Sequence, residues 1–300
     1  MNSDVPHADF GRVRVYFGEK SGKYPDGNQV VVRGRDTHAV FDTPLVSNRI
    51  GADVDEAQLV ILGHVHEDHM AGLHRLPHAA VHVHERDLAA ARSWPGLVRH
   101  YGLSPGVRDA MRAGIEREFH YAPRPDALGY ADGAVWDLGG SRVRAIHMPG
   151  HTSGHCVLLV EPEGVAFIGD IELSGFGPYY GDATSNLDEF RHTLARLPAI
   201  PARTWVTSHH RGVYTDRAAF LEALVAYVAR IGERSERLVA MIAEVPKTLD
   251  QLAAERLIYP LDYDEAWVFD AERRTIAQHL EELIAAGRAV ADEAGRYRAA

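Results

Sequence analysis

Cysteine is almost missing from this 300-residue chain, with Cys156 the only one. That excludes an intramolecular disulfide framework and a zinc site built mainly from thiolates. Long apolar runs are missing too. The longest stretches, such as 59–63 and 156–160, are strand-sized, and residues 1–20 already carry Asp4, Asp9 and Glu19. No membrane span or export signal is expected, so the chain reads as cytoplasmic. A basic surplus is lacking: 32 Lys and Arg face 42 Asp and Glu, a net charge of −10. This argues against a broad surface for nucleic acid or anionic membrane. Gly and Pro, 27 and 15 residues, are too few for a collagenous or low-complexity chain. What remains is 46% hydrophobic and 25% charged, ordinary for one large globular domain or for a domain with a small companion. The outlier is histidine, at 18 residues.

Along the chain, β-rich runs at 13–17, 29–33 and 38–41 are separated by Pro25-Asp26-Gly27-Asn28 and Gly34-Arg35-Asp36. Residues 59–62 form a short, wholly apolar run, as a strand buried on both faces would. A strand at 80–84 and a helix at 85–92 follow. Residues 93–130 read as a surface insertion around one helix, 108–119. Strands return at 141–147, 156–160, 165–168 and 205–207, with a helix at 187–197. After about residue 215 the pattern turns helical, with Phe220, Leu224, Val228 and Ile231 at helical spacing over 217–244 and Pro246 as the break. Further helices are expected at 248–258 and 273–286, with Gly287 as the cap. Two regions result, 1–215 and 216–300.

Four histidine- or aspartate-bearing segments each follow an apolar strand. The first is His64-Val65-His66-Glu67-Asp68-His69. Alternate residues leaving a strand point to one side, and a turn brings Asp68 and His69 back toward them. Imidazole and carboxylate suit Zn²⁺ and other first-row metals. The second is His147-Met148-Pro149-Gly150-His151-Thr152-Ser153-Gly154-His155, where Pro-Gly forces a turn that exposes His151 as the natural ligand; His147 and His155 read as structural. The third ends in Gly169-Asp170, where a carboxylate at a strand end suits metal bridging. The fourth carries the pair His209-His210.

This constellation resembles the metallo-β-lactamase superfamily across residues 10–215. Residues 64–69 match its His-x-His-x-Asp-His signature, and Pro149-Gly150-His151-Thr152, Gly169-Asp170 and Ser208-His209 match its later motifs. The resemblance implies a four-layer αββα sandwich with a helical C-terminal extension. It further implies two metal ions, with His64, His66 and His151 on the first. Asp68, His69 and His209 would hold the second, and Asp170 would bridge both. Two departures, Asp42-Thr43-Pro44 for the usual Asp-Thr-Gly and Ala71-Gly72 for Gly-Gly, replace no ligand.

Such a site, with zinc favoured over iron or manganese, supplies hydroxide at neutral pH for attack on an ester, thioester, lactone or related bond of a small molecule. Asp68 is the candidate proton carrier. Tyr179, Tyr180 and Tyr214 are the weaker candidates for substrate contact. The tail ends in a helix and a short hairpin, similar to the winged-helix-like extension of a superfamily branch with relatives acting on RNA. That raises the alternative of a nucleic-acid phosphodiester hydrolase. Only Arg288, Arg296 and Arg298 offer clustered positive charge, and Glu272, Glu281 and Glu282 lie near them, so packing or homodimer formation is the preferred role. A non-catalytic metal-binding module is the third reading.

Overall fold

A computed structural model describes residues 4–300. Two large sheets face each other. The first runs in chain order: β1 (His7–Phe10), β2 (Val13–Tyr16), β3 (Gln29–Arg33), β4 (His38–Phe41), β5 (Leu59–Ile61), β6 (Ala80–His84) and β7 (Leu128–Tyr130). Its first four strands are antiparallel and its last four parallel. The second comprises β8 (Val135–Asp137), β9 (Arg142–His147), β10 (Cys156–Glu161), β11 (Val165–Phe167), β12 (Thr204–Val206) and β13 (Val213–Tyr214), ordered β13-β12-β11-β10-β9-β8.

Period-two alternation sorts each strand's residues onto two cores. Val30, Val32, Phe41 and Ile61 meet Val143, Leu158, Val160 and Phe167 between the sheets. Val31, Val40, Val60 and Val81 turn outward onto helices from 88–118. Val157, Leu159, Ala166 and Trp205 pack on the opposite side against Phe190, Phe220, Leu224 and Ile231. The result is the four-layer αββα sandwich. Strands apolar on both faces, such as β3 and β10, are the ones buried on both faces.

The expectation that 93–130 is a surface insertion is corrected. Its helix Trp94–Tyr101 buries Leu97, Val98, His100 and Tyr101, and β7 closes the edge of the first sheet. The Pro, Gly and Arg content that suggested surface sits instead at caps: Ser93 caps the helix with Pro95 in its first turn, and Gly102 ends it at φ 68°.

In the tail, the helix Arg217–Met241 turns Phe220, Leu224, Tyr227, Ile231 and Leu238 inward. Helices Leu249–Glu255 and Val268–Ala285 and the sheet β14 (Lys247–Thr248), β16 (Arg296–Ala299), β15 (Ala289–Ala291) enclose a small core of Leu238, Leu252, Ile276 and Leu280. Thr248 and Gln251 form a capping box, and Gly287 takes φ 68° after the last helix. That helix begins at Val268, five residues before the expected start, and so takes in Glu272. It is not a solvent-facing charge: it is buried and accepts the backbone N–H groups of Leu257, Ile258 and Tyr259 at 2.7–2.8 Å.

His279 lies wholly buried between the tail and the sandwich. Tyr180 Oη lies 2.8 Å from its Nε2 and Ser235 Oγ 2.9 Å from its Nδ1, contacts that a neutral ring satisfies. Burial, aided by Arg234 and Arg191, pushes its pKa down to about 3. Because the free imidazole titrates near 6.5, the stability from this neutral ring is complete above pH 6.5 and is lost as pH falls toward 3. Urea unfolding across that range should show the wild type losing up to about 1.4 kcal/mol per pH unit more than His279→Gln. Equal slopes would contradict the assignment.

Candidate metal centre

The functional loops leave neighbouring strands and are stitched together by backbone hydrogen bonds. Cys156 N–H donates to Gly63 O at 2.8 Å, Ser208 N–H to Gly169 O at 3.0 Å and Thr43 N–H to His69 O at 2.8 Å. Gly150 is required where it stands. Its φ is +129°, and a Cβ there would lie 2.3 Å from Phe190 Cα, so only glycine lets this loop deliver His151.

The seven residues singled out from the sequence form two adjoining groups, His64, His66, His151 with Asp170, and Asp68, His69 with His209. His64 Nε2, His66 Nδ1 and His151 Nε2 stand 3.2–3.3 Å from one another. Nitrogens sharing a tetrahedral cation at 2.0–2.1 Å are separated by about 3.3–3.4 Å, so the triangle fits a common divalent ion. In the second group, Asp68 Oδ2 lies 3.0 Å from His209 Nε2 and 3.5 Å from His69 Nε2. Asp170 stands between the groups. Its Oδ2 faces His151 at 3.5 Å and His64 at 3.8 Å, and its Oδ1 faces His69 at 3.1 Å and His209 at 3.6 Å. Of the paired histidines, His209 joins the group, while His210 turns to Glu172 at 3.1 Å.

Each inward nitrogen but one is aimed by a bond on the far side of its ring. His66 Nε2 meets Asp182 Oδ2 at 2.7 Å and His69 Nδ1 meets Asp42 Oδ2 at 2.7 Å. His151 Nδ1 meets Tyr179 O at 3.0 Å, and His209 Nδ1 meets Gly22 O and Asp26 O at 2.9 and 2.8 Å. These contacts fix the tautomers that leave lone pairs pointing into the cluster. His69 Nε2 and Asp170 Oδ1 are buried without a hydrogen-bond partner, which a shared cation would relieve.

Charge points the same way. Asp68, Asp170 and Asp182 are buried, and histidines are their ion-pair partners. Burial works against a charged His66, yet Asp182 outweighs it and pushes the pKa up to about 9. Burial likewise opposes charge on His209, but Asp170 and Asp68 push it up to about 10. His64, buried and flanked by other imidazoles, is held well below its usual value. The buried carboxylates thus favour positive charge beside them, the charge that a divalent cation would bring.

The weaker substrate candidates fare differently. Tyr179 borders the cluster, its hydroxyl donating to Asp182 Oδ1 at 3.0 Å. Tyr180 does not: it is wholly buried, and its hydroxyl meets His279 and Arg234. Tyr214 packs edge-on against Phe220 with the Arg211 guanidinium over its ring. For these two, packing in the second core replaces the expected substrate contact. Sequence reading missed Asp42, Asp182 and Tyr101. Tyr101 stacks on His66 at 5.3 Å and hydrogen-bonds the buried Glu67 carboxylate, which Tyr24 also meets at 3.0 Å. Only Asp42, in the departed Asp-Thr-Gly motif, carried a sequence signal.

The chain belongs to the metallo-beta-lactamase superfamily, whose family model matches residues 24–225. With this donor set and thioesterases among its relatives, it is a metal-dependent hydrolase. It is 24% identical over 284 residues to an atrochrysone carboxyl ACP thioesterase of Pseudocercospora fijiensis, covering 91% of this chain and 73% of that protein. It is 31% identical over 146 residues to a hydroxyacylglutathione hydrolase of Methylococcus capsulatus, covering 48% of this chain and 55% of that one. An acyl-coenzyme A thioesterase of Homo sapiens matches at 29% over 171 residues, 51% of this chain and 61% of that protein. The match thus spans little more than half the length of the last two. Among solved structures, a metallo-beta-lactamase family protein of Thermus thermophilus shares the fold at TM-score 0.67 and 23% identity, covering 92% of this chain and 95% of that one.

Removing the Asp42 carboxylate while keeping its shape frees the His69 ring. Asp42→Asn should weaken divalent-metal affinity about 10–100-fold, measured by competition with a chromogenic chelator. Unchanged affinity would remove Asp42 from the centre.

Proposed function

We propose that this chain is a dinuclear metal-dependent thioesterase acting on small-molecule acyl thioesters. The observation that carries this reading is Asp170, whose two oxygens face the two histidine groups separately. His64, His66 and His151 would hold one ion, Asp68, His69 and His209 the other, and Asp170 both. Two divalent cations held there would supply hydroxide at neutral pH and an electrophile for the substrate carbonyl; zinc is the favoured metal for a His/Asp donor set.

The chain's own residues do the rest. Asp68 accepts the proton of the attacking water and returns it to the leaving thiolate, so that the C–S bond breaks as the C–O bond forms, giving a carboxylic acid and a thiol. The outer bonds from Asp42, Asp182 and Tyr179 O hold the imidazoles in place through that transfer.

Three lines support a thioester over the other bonds open to such a centre. The relatives named above include two thioesterases and a hydrolase of an acylated thiol, glutathione. An aromatic side chain borders the centre: Tyr24, 42% exposed, has its ring 6.5 Å from His209, suiting an apolar acyl group. Against a polyanionic nucleic acid, Arg288 and Arg296 in the tail are already paired with Glu236 and Asp292. Among the described residues no helix is long and apolar enough to cross a membrane. A cytoplasmic location belongs to this reading.

Thiol release from a series of acyl thioesters, run beside lactones and a phosphodiester, tests it. Thioesters should be cleaved fastest, activity should vanish on chelation and return with metal, and Asp68→Ala should lower kcat by about 10²–10⁴. Phosphodiester or lactone cleavage without thiol release would overturn the assignment.

A further inference from the structure

One face of the last helix, Val268–Ala285, carries Asp270, Arg274, Gln278 and Glu282 at four-residue spacing. Residues so spaced form a single stripe along a helix. Every member of the stripe bonds to the sandwich. Asp270 Oδ2 accepts Ser104 N–H at 2.9 Å. Arg274 donates from Nε to Gly181 O at 2.6 Å and from a terminal nitrogen to Gly102 O at 2.7 Å. Gln278 accepts Leu187 N–H at 2.6 Å and donates to Tyr180 O at 2.9 Å. Glu282 holds Arg191 through two bonds of 2.9 Å.

The partners of Arg274 and Gln278 are not arbitrary. Gly102 ends the helix that lays Tyr101 on His66, and residues 179–182 hold both outer bonds of the first histidine group. Tyr179 O accepts from His151 and Asp182 accepts from His66. The two segments also meet each other, with Ala183 N–H donating to Tyr101 O at 3.3 Å. The second group is aimed from elsewhere: Asp42 holds His69, and the carbonyls of Gly22 and Asp26 hold His209.

We propose that the polar stripe of the C-terminal helix, chiefly Arg274 and Gln278, is a positioning device for His66 and His151 and therefore sets the metal affinity of one half of the centre. The inference rests on the metal reading above and gives the tail a role in that site. Arg274 bridges two carbonyls from chain segments 79 positions apart, a geometry that a planar guanidinium matches and a lysine ammonium does not. Without it, residues 179–182 lose a clamp, and His66 and His151 share the loosening.

The test is equilibrium chelator competition on the full chain, with zinc as the probe, resolving the two sites separately. Arg274→Met and Gln278→Leu should each weaken one site about tenfold, the lower end for outer-shell changes, and leave the other alone. Asp182→Asn should weaken the same site, and its combination with Arg274→Met should fall short of the summed effects, since both act through one loop. Asp42→Asn should weaken the other site. In metal-free protein, amide exchange over residues 179–187 should speed up in Arg274→Met. Equal weakening of both sites, or no weakening in a folded variant, would overturn the proposal. If the wild type bound no zinc, the metal reading would fail, and unchanged exchange in Arg274→Met would then refute the positioning role by itself.

Discussion

The Asp170 carboxylate has to face two groups of imidazoles at once while buried, and much of the surrounding architecture follows from that constraint. It follows a strand that is apolar on both faces and anchored on two sides, just past the turn at Gly169 with φ +55°. An isolated buried carboxylate is costly, and here the cost is offset by the histidines around it and, on our reading, by two cations. Remove Asp170 and the carboxylate that faces both groups is gone.

The sandwich supplies the rigidity this arrangement needs. Strands β5, β11 and β12 each bury every residue, so the loops that follow start from fixed points. The candidate ligands come from four loops far apart in sequence, and the loops are tied to one another by backbone hydrogen bonds. Imidazoles held from behind by carboxylates and carbonyls lose little freedom when a cation arrives, which is how preorganisation raises affinity. The tail extends this logic outward, bonding to the carbonyls of the loop that holds His66 and His151.

The ligand candidates were legible because metal chemistry restricts donors to few residue types and because each follows an apolar run. His64, His66 and His151 needed only those two facts, and His209 was separated from His210 by resemblance alone. The sandwich was legible only through the family resemblance; the continuous apolar runs of β3, β10 and β11 marked no more than strands buried on both faces. What stayed hidden depended on contacts far apart in the chain. Asp182 sits 116 positions from His66 in an unremarkable loop, and no local pattern marks it. The helix Trp94–Tyr101 was lost among Pro, Gly and Arg residues that serve as caps. Tyr180 and Tyr214 looked like substrate contacts because sequence gives proximity to a motif but not the direction of a side chain. The stripe of Asp270, Arg274, Gln278 and Glu282 was visible as spacing, yet its meaning lay in carbonyl groups, which sequence does not display.

The most direct test of the account is the metal centre itself, by metal-edge anomalous diffraction from crystals of the zinc-loaded protein. Two peaks about 3.5–4 Å apart with Asp170 between them are expected, one against His64, His66 and His151 and the other against Asp68, His69 and His209. A single peak, or two that do not share Asp170, would contradict the dinuclear reading.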